Sequence, residues 1–396
     1  MRRLLCFSQM FPMLFAALLI AAAPRPARAQ ITLHVGVPAG SPEDKALTDI
    51  NAATDPAQKL ALIDQFASNF GTGDMQRVAD ELYVDYYTAQ KNNAKLYEYG
   101  DKTLALDPDD FDVAVTLVRT AADAGDTDRI YGYAEKAGAI VQRYEQQPAP
   151  AGTDAASWTA ERKASVAGDQ DSINYVAYAF FSAAYKVTDP NAKAALMERF
   201  VVAFPDSQYT AQAEFLAPLS YQQAKNYPKM IDAANAVLAR EPNNVDVLLL
   251  LADYYSENGL HLDLAAADAK QALAALAAAK KPDAVADADW QKQVALQTGL
   301  VWSALGQVYI TQKNEAQALT AFQTAAPLLK SNPTSYARNQ YRLGFALLNL
   351  KRDADAKQAF TDAASVDSPY RALAQAKLDE LQHAGVGAHP AKKAQQ

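Results

Sequence analysis

The residues that could do chemistry are few and far apart. Four histidines (His34, His261, His383 and His389) are scattered along the chain, and no HExxH or comparable ligand spacing joins them. The single cysteine is Cys6, so the chain beyond it has no thiol for a disulfide, a metal or a nucleophile. There is no GxSxG elbow, no Walker A loop and no strand-linked GxGxxG. The densest acidic cluster is "DPDD", with Asp107, Asp109 and Asp110. Such acids suit a weak calcium site, but Asp beside Pro is above all a way to start a helix. Glycoside hydrolysis would need a buried acid in a cleft, and the chain leaves no room for a separate catalytic domain. The expectation is a non-catalytic protein with no cofactor and no metal.

Tyrosine is the unusual supply, with 20 in the chain. It clusters in "ELYVDYY" (81–87), "KLYEYGDK" (95–102), "RIYGYAEK" (129–136) and "YVAYAFFSAAY" (175–185). Most of these rings fill space between helices. Tyr86 and Tyr87 are adjacent, however, and cannot share one helix face, so some rings should be exposed, where tyrosine suits a partner surface.

The first 29 residues are expected to be a cleaved export signal. Arg2 and Arg3 precede an apolar stretch from Met10 to Ala23, and "ARA" (27–29) offers small residues for cleavage before Gln30. About 14 apolar residues fall short of the ~20 that a spanning helix needs. Cys6 lies ahead of that stretch, where a lipoprotein signal would not place it. The leader carries Arg2, Arg3, Arg25 and Arg28 and no acid, so the remainder is four charges more negative than the −8 of the whole chain. An acidic chain without a basic run is a poor match for nucleic acid or anionic lipid, both of which need phosphate neutralisation. The expected location is therefore periplasmic or secreted, with no stable membrane insertion after cleavage.

The elements that position these residues show themselves by repetition. In the stretch 302–325, Trp302, Leu305, Gly306 and Tyr309 share one helical face, Lys313 and Asn314 form a polar turn, and Ala318, Phe322 and Ala325 mark a second helix. Gly306 and Ala318 are small where the two helices meet. The pattern recurs 38 residues later at Leu343, Gly344, Ala356, Phe360 and Ala363. Further upstream only the frame survives, as at Tyr178, Phe181, Tyr185 and Ala194. Unit starts fall near 42, 77, 111, 175, 211, 245, 299 and 337. A longer period overlies this one: "TDPAQKLALIDQF" (54–66) returns as "TDPNAKAALMERF" (188–200). At the same offset Lys91-Asn92 returns as Lys225-Asn226 and Asp112-Val113 as Asp246-Val247, which points to duplication of a block of repeats. The rhythm breaks at 145–174 and 279–298. "EQQPAPAGTDA" reads as a surface loop, and Trp158 and Trp290 each fit either an extra helix or an extended first helix, packed inside or left as contacts.

This arrangement resembles the tetratricopeptide repeat, whose W-x2-L-G-x2-Y…A-x3-F pattern is matched at 302–322, with the usual closing proline displaced to Pro333. The resemblance implies an all-α fold: a right-handed α-α superhelix, a TPR-like solenoid of about eight helix pairs. The expected organisation is an export signal (1–29) and an extended N-terminal linker (30–41). A first block (42–174) with its insertion near 145–170 and a second block (175–382) with a capping helix follow, then a disordered tail (383–396). The family frame puts the inner groove of the first helices at Glu81, Asp85, Arg119, Phe215, Leu219 and Gln222, and at Leu249, Asp253, Ser303, Gln307, Tyr341 and Phe345. The Lys/Asn clamp for terminal carboxylates found in some members is not apparent. The implied function is a scaffold or adaptor of a bacterial-type cell envelope that holds a protein or peptide partner in that groove. The competing expectation is a structural or assembly component of an envelope or secretion complex. An enzyme would need a cluster of shifted carboxylates in the groove. The oligomeric state stays open.

Overall fold

The computed structural model describes residues 31–283 and 285–386. The expected export signal and residues 387–396 of the expected tail lie outside them. Among the described residues there are eighteen helices and no strand. Sixteen form eight pairs: α1 (Pro42–Ala52) with α2 (Pro56–Phe70), α3 (Asp74–Ala89) with α4 (Asn93–Leu106), α5 (Phe111–Ala124) with α6 (Thr127–Gln146), and α8 (Gln170–Tyr185) with α9 (Pro190–Ala203). The others are α10 (Thr210–Gln223) with α11 (Tyr227–Arg240), α12 (Val245–Asn258) with α13 (Leu262–Ala278), α14 (Asp287–Thr311) with α15 (Glu315–Leu328), and α16 (Pro333–Asn349) with α17 (Asp353–Ser365). Two helices are single, α7 (Ala155–Gly168) and α18 (Tyr370–Val386). The repeats are TPR-like. The chain divides into two compact units at Val176–Ala177, within α8.

Both breaks in rhythm acquire a shape. Trp158 lies on α7, an extra helix, and Trp290 on the N-terminal part of the 25-residue α14, an extended first helix. Helix α7 packs on α6 and closes its C-terminal end: the Trp158 indole donates to the Gln147 carbonyl at 3.2 Å, and Arg162 donates to the carbonyls of Tyr144 and Glu145. These carbonyls have no partner within α6 itself, and a cation there also suits the helix dipole. Helix α18 packs on α17 and α16 and runs into the segment expected to be tail. The expected linker is anchored at its start. Ile31 and Thr32 are buried, and the Thr32 hydroxyl accepts the Asp112 amide at the start of α5.

One turn recurs inside the pairs. Lys91, Lys225, Lys313 and Lys351 all have positive φ, as do Gly125 and Gly259 at equivalent places. The next amide bonds back five residues, as Asn92 to Tyr87, Asn226 to Tyr221 and Asn314 to Tyr309. That is a left-handed helix ending with a 6→1 bond. Asn92 and Asn314 then cap the following helix through their side chains. The turn accounts for the Lys-Asn repeats. Lys313-Asn314 does the same work outside the 134-residue offset, so this pair is turn chemistry rather than a mark of duplication. The "DPDD" acids are likewise structural. Asp110 caps α5 through the Val113 amide, Asp107 accepts the Asp109 amide, and Asp109 pairs with Arg143 at 2.6 Å. Arg77 joins Asp107 and lies 3.6 Å from Asp110.

Packing within the last two pairs rests on a glycine under an aromatic ring. A Cβ on Gly306 would come within 2.6 Å of the Phe322 ring, and one on Gly344 equally close to Phe360. The phenylalanine covers the glycine rather than filling the space beside it. Both rings are fully buried. Gly306→Ala should therefore cost about 1–3 kcal/mol in chemical denaturation, the usual range for overpacking a dense core, and Phe322→Leu in the same chain should recover part of it.

One core position works against stability. Asp268 on α13 is buried, its Oδ2 has no hydrogen-bond partner, and desolvation alone raises its pKa to about 6. A carboxyl that binds its proton more tightly folded than unfolded destabilises the fold above pH 6. That cost is relieved as pH falls from about 7 toward 4. Asp268→Asn should stabilise unit 2 at pH 7.5 by about 2 kcal/mol, with the gain shrinking by pH 4.5, as read from paired thermal melts.

Candidate functional site: a trough on the first helices of unit 2

The pairing just described fixes which helix faces are free. In unit 2 the second helices bring their small residues against the first helices: Ala265, Ala269 and Ala272 on α13, Ala318 and Ala325 on α15, and Ala356 and Ala363 on α17 are all buried. The exposed faces of α12, α14 and α16, with α18 at the end, then form a trough of about 540 Å³. Its apolar walls are Ile310, Tyr341, Phe345 and Tyr370. Its polar lining is Glu257, Gln307, Arg342 and Asn349.

The aromatic wall is built by contacts that leave it little freedom. Tyr341 meets Phe345 edge-on at 5.0 Å between centroids, Tyr370 at 5.8 Å and the buried Phe360 at 5.8 Å. Phe345 also stands edge-on to Phe360 at 5.4 Å. The ring seated on Gly344 is thus also the foundation of the trough wall. Burial, first of all, raises the Tyr370 pKa against the opposing pull of Arg338 and Arg342, so its hydroxyl stays protonated.

Beside the wall runs an ion-pair ladder from α12 to α16. Asp253 and Glu257 are four residues apart on one helix, and Arg338 and Arg342 four apart on the other. Arg338 Nη1 donates to Asp253 Oδ2 at 2.6 Å and lies 3.6 Å from Glu257 Oε1. Arg342 Nη2 donates to Glu257 Oε1, and its Nη1 lies 3.8 Å from Asp253 Oδ1. Burial opposes both guanidinium charges. At Arg338 the two acids outweigh it and raise the pKa, whereas at Arg342 desolvation and then Arg338 dominate and lower it. Guanidinium groups keep their proton through shifts of this kind, so both arginines stay charged.

The expected groove residues divide sharply. Gln307, Tyr341 and Phe345 come together at the trough, and Asp253 stands beside it in the ladder, paired with Arg338. Ser303 is fully buried, so it faces no ligand. Leu219 and Leu249 are half-buried and pack against core clusters of unit 2, and Phe215 and Gln222 are half-buried on α10. In unit 1, Glu81 is held by Arg77 at 2.6 Å and Arg119 lies 4.3 Å over the Tyr175 ring. Asp85 has its pKa raised by desolvation and then by Glu81. The frame did not single out Glu257, Arg338, Arg342 or Tyr370. A signal for the first three was present: like charges at i,i+4 repel, so each such pair calls for an opposite partner.

The fold is that of a tetratricopeptide-like repeat protein. No family model matches the sequence, and no curated protein does. Among solved structures the chain is similar to that of the APC/C hetero-tetramer Cut9–Hcn1, at 14% identity and a TM-score of 0.42, over 86% of this chain and 62% of that one. It spans less than two thirds of that chain. It is also similar to NprR in complex with its cognate peptide NprX, at 13% identity and 0.36, over 87% and 82% of the two chains. For yeast Tom70 the values are 10% and 0.24, over 87% and 95%.

The ladder is a buried interaction and should behave as one. Arg342→Met should cost about 1–3 kcal/mol in urea denaturation, because Glu257 loses its hydrogen-bonded guanidinium while Asp253 keeps Arg338. Arg352→Met, which removes a surface pair with Asp355, should cost less than about 1 kcal/mol.

Proposed function

We propose that the chain is a non-catalytic interaction scaffold of a bacterial-type cell envelope, which holds a segment of a partner protein in the unit 2 trough. The observation that carries this reading is the trough itself. It joins an open aromatic wall to a fixed ion-pair ladder. Such a surface offers complementarity to a side chain. The volume suits a few side chains of a docked segment. The envelope location rests on the expected export signal, and the acidic balance disfavours nucleic acid as a partner.

A test is co-purification from envelope extracts of the source organism. The wild-type chain and a surface control, Leu106→Ser, should retain the same partner, whereas Tyr341→Ala/Phe345→Ala should lose most of it. Retention by the trough variant would contradict the reading. The alternative, an assembly component, requires a stable homo-oligomer, which light scattering of the purified chain would reveal.

A further inference from the structure

The chemistry of the trough also points to the kind of side chain it takes. This step rests on the scaffold reading above. Two charged residues line the trough, and they are unequally available. The Arg342 side chain is 9% exposed and its charge is directed into Glu257 and Asp253, whereas the Glu257 side chain is 46% exposed. Both arginine contacts fall on Glu257 Oε1. A carboxylate has acceptor positions beyond the ones these bonds use. Arg342 Nη1, which makes no hydrogen bond, is enclosed and faces Asp253. The charge that an incoming group meets is therefore negative.

The wall agrees with the lip. Aromatic faces attract cations, and the structure already places one there. The Lys377 ammonium of α18 lies 5.7 Å from the centroid of Phe345 and is held by Glu380 at 2.7 Å. Tyr341 and Tyr370 offer the same kind of surface next to Glu257, along with Ile310 for an aliphatic stem. A lysine or arginine side chain has that dual character, with an apolar stem and a charged head. An acidic side chain would meet the Glu257 carboxylate, while the Arg342 charge is directed into Glu257 and Asp253. The chain's net charge of −8 adds long-range attraction for a basic segment.

We infer that the unit 2 trough is a receptor for a basic side chain, an arginine or lysine flanked by apolar residues in a partner segment, with its stem on Tyr341 and Phe345 and its head at Glu257. The test uses the purified chain and a display library of random dodecapeptides. Selected peptides should share a basic residue beside apolar ones, and their binding should weaken as salt rises. Gln307→Glu, which adds a second carboxylate to the trough, should tighten them about threefold to tenfold, and Gln307→Lys should weaken them by a similar factor. Neither change touches the ladder, so both proteins should melt as the wild type does. Three results would overturn the inference. Selected peptides that respond to Tyr341→Ala but carry acids, or only apolar residues, would refute the basic side chain and leave the trough as a docking site. Peptides indifferent to Tyr341→Ala and to both Gln307 changes would refute the trough as well. A library that yields no binder would count against both.

Discussion

A helix with one apolar stripe cannot be stable alone in water, and a pair of them is not enough either. Every unit here depends on neighbours, and in the last two pairs the contact that sets the helix spacing is a glycine beneath an aromatic ring. Gly306 under Phe322 and Gly344 under Phe360 let the paired helices approach as closely as backbone allows. Small alanines on the second helices continue that approach. Within unit 2 such pairs stack on one another, and one face of the first helices stays free. The trough exists because the second helices absorb the first helices' other faces.

The same contact carries into the site. Phe360 is both the ring seated on Gly344 and the surface against which Tyr341 and Phe345 stand. Core packing and the trough wall are thus coupled through one side chain. The ladder adds a second constraint. Asp253 and Glu257 would repel each other on α12 alone, as would Arg338 and Arg342 on α16, and the two pairs cancel only when the repeats stack in register. Desolvation offsets much of the Coulomb gain of such pairs.

Much of this was legible in the sequence, for identifiable reasons. The helix pairs announced themselves by 3.6-residue periodicity and by Gly and Ala at fixed offsets, and these residues do set the packing. The trough wall at Tyr341 and Phe345 followed from the same frame. What escaped was pairing across repeats. Asp253 and Arg338 are 85 residues apart, and spacing within one helix says nothing of what faces it from another. Burial was the other blind spot. Ser303 sits one turn from Gln307, yet the first is enclosed and the second lines the trough. The Lys-Asn turns were legible as a pattern but not as a cause, since a left-handed residue is a property of backbone geometry.

The central claim is that the partner sits on the first helices of unit 2 and not on the opposite side of the repeats. A benzophenone photo-crosslinker answers this directly when placed at Gln307, in the trough, and at Gln323, exposed on α15. The account predicts that irradiation in intact cells yields a discrete partner adduct from position 307 and none from position 323. An adduct from 323 with none from 307 would contradict it.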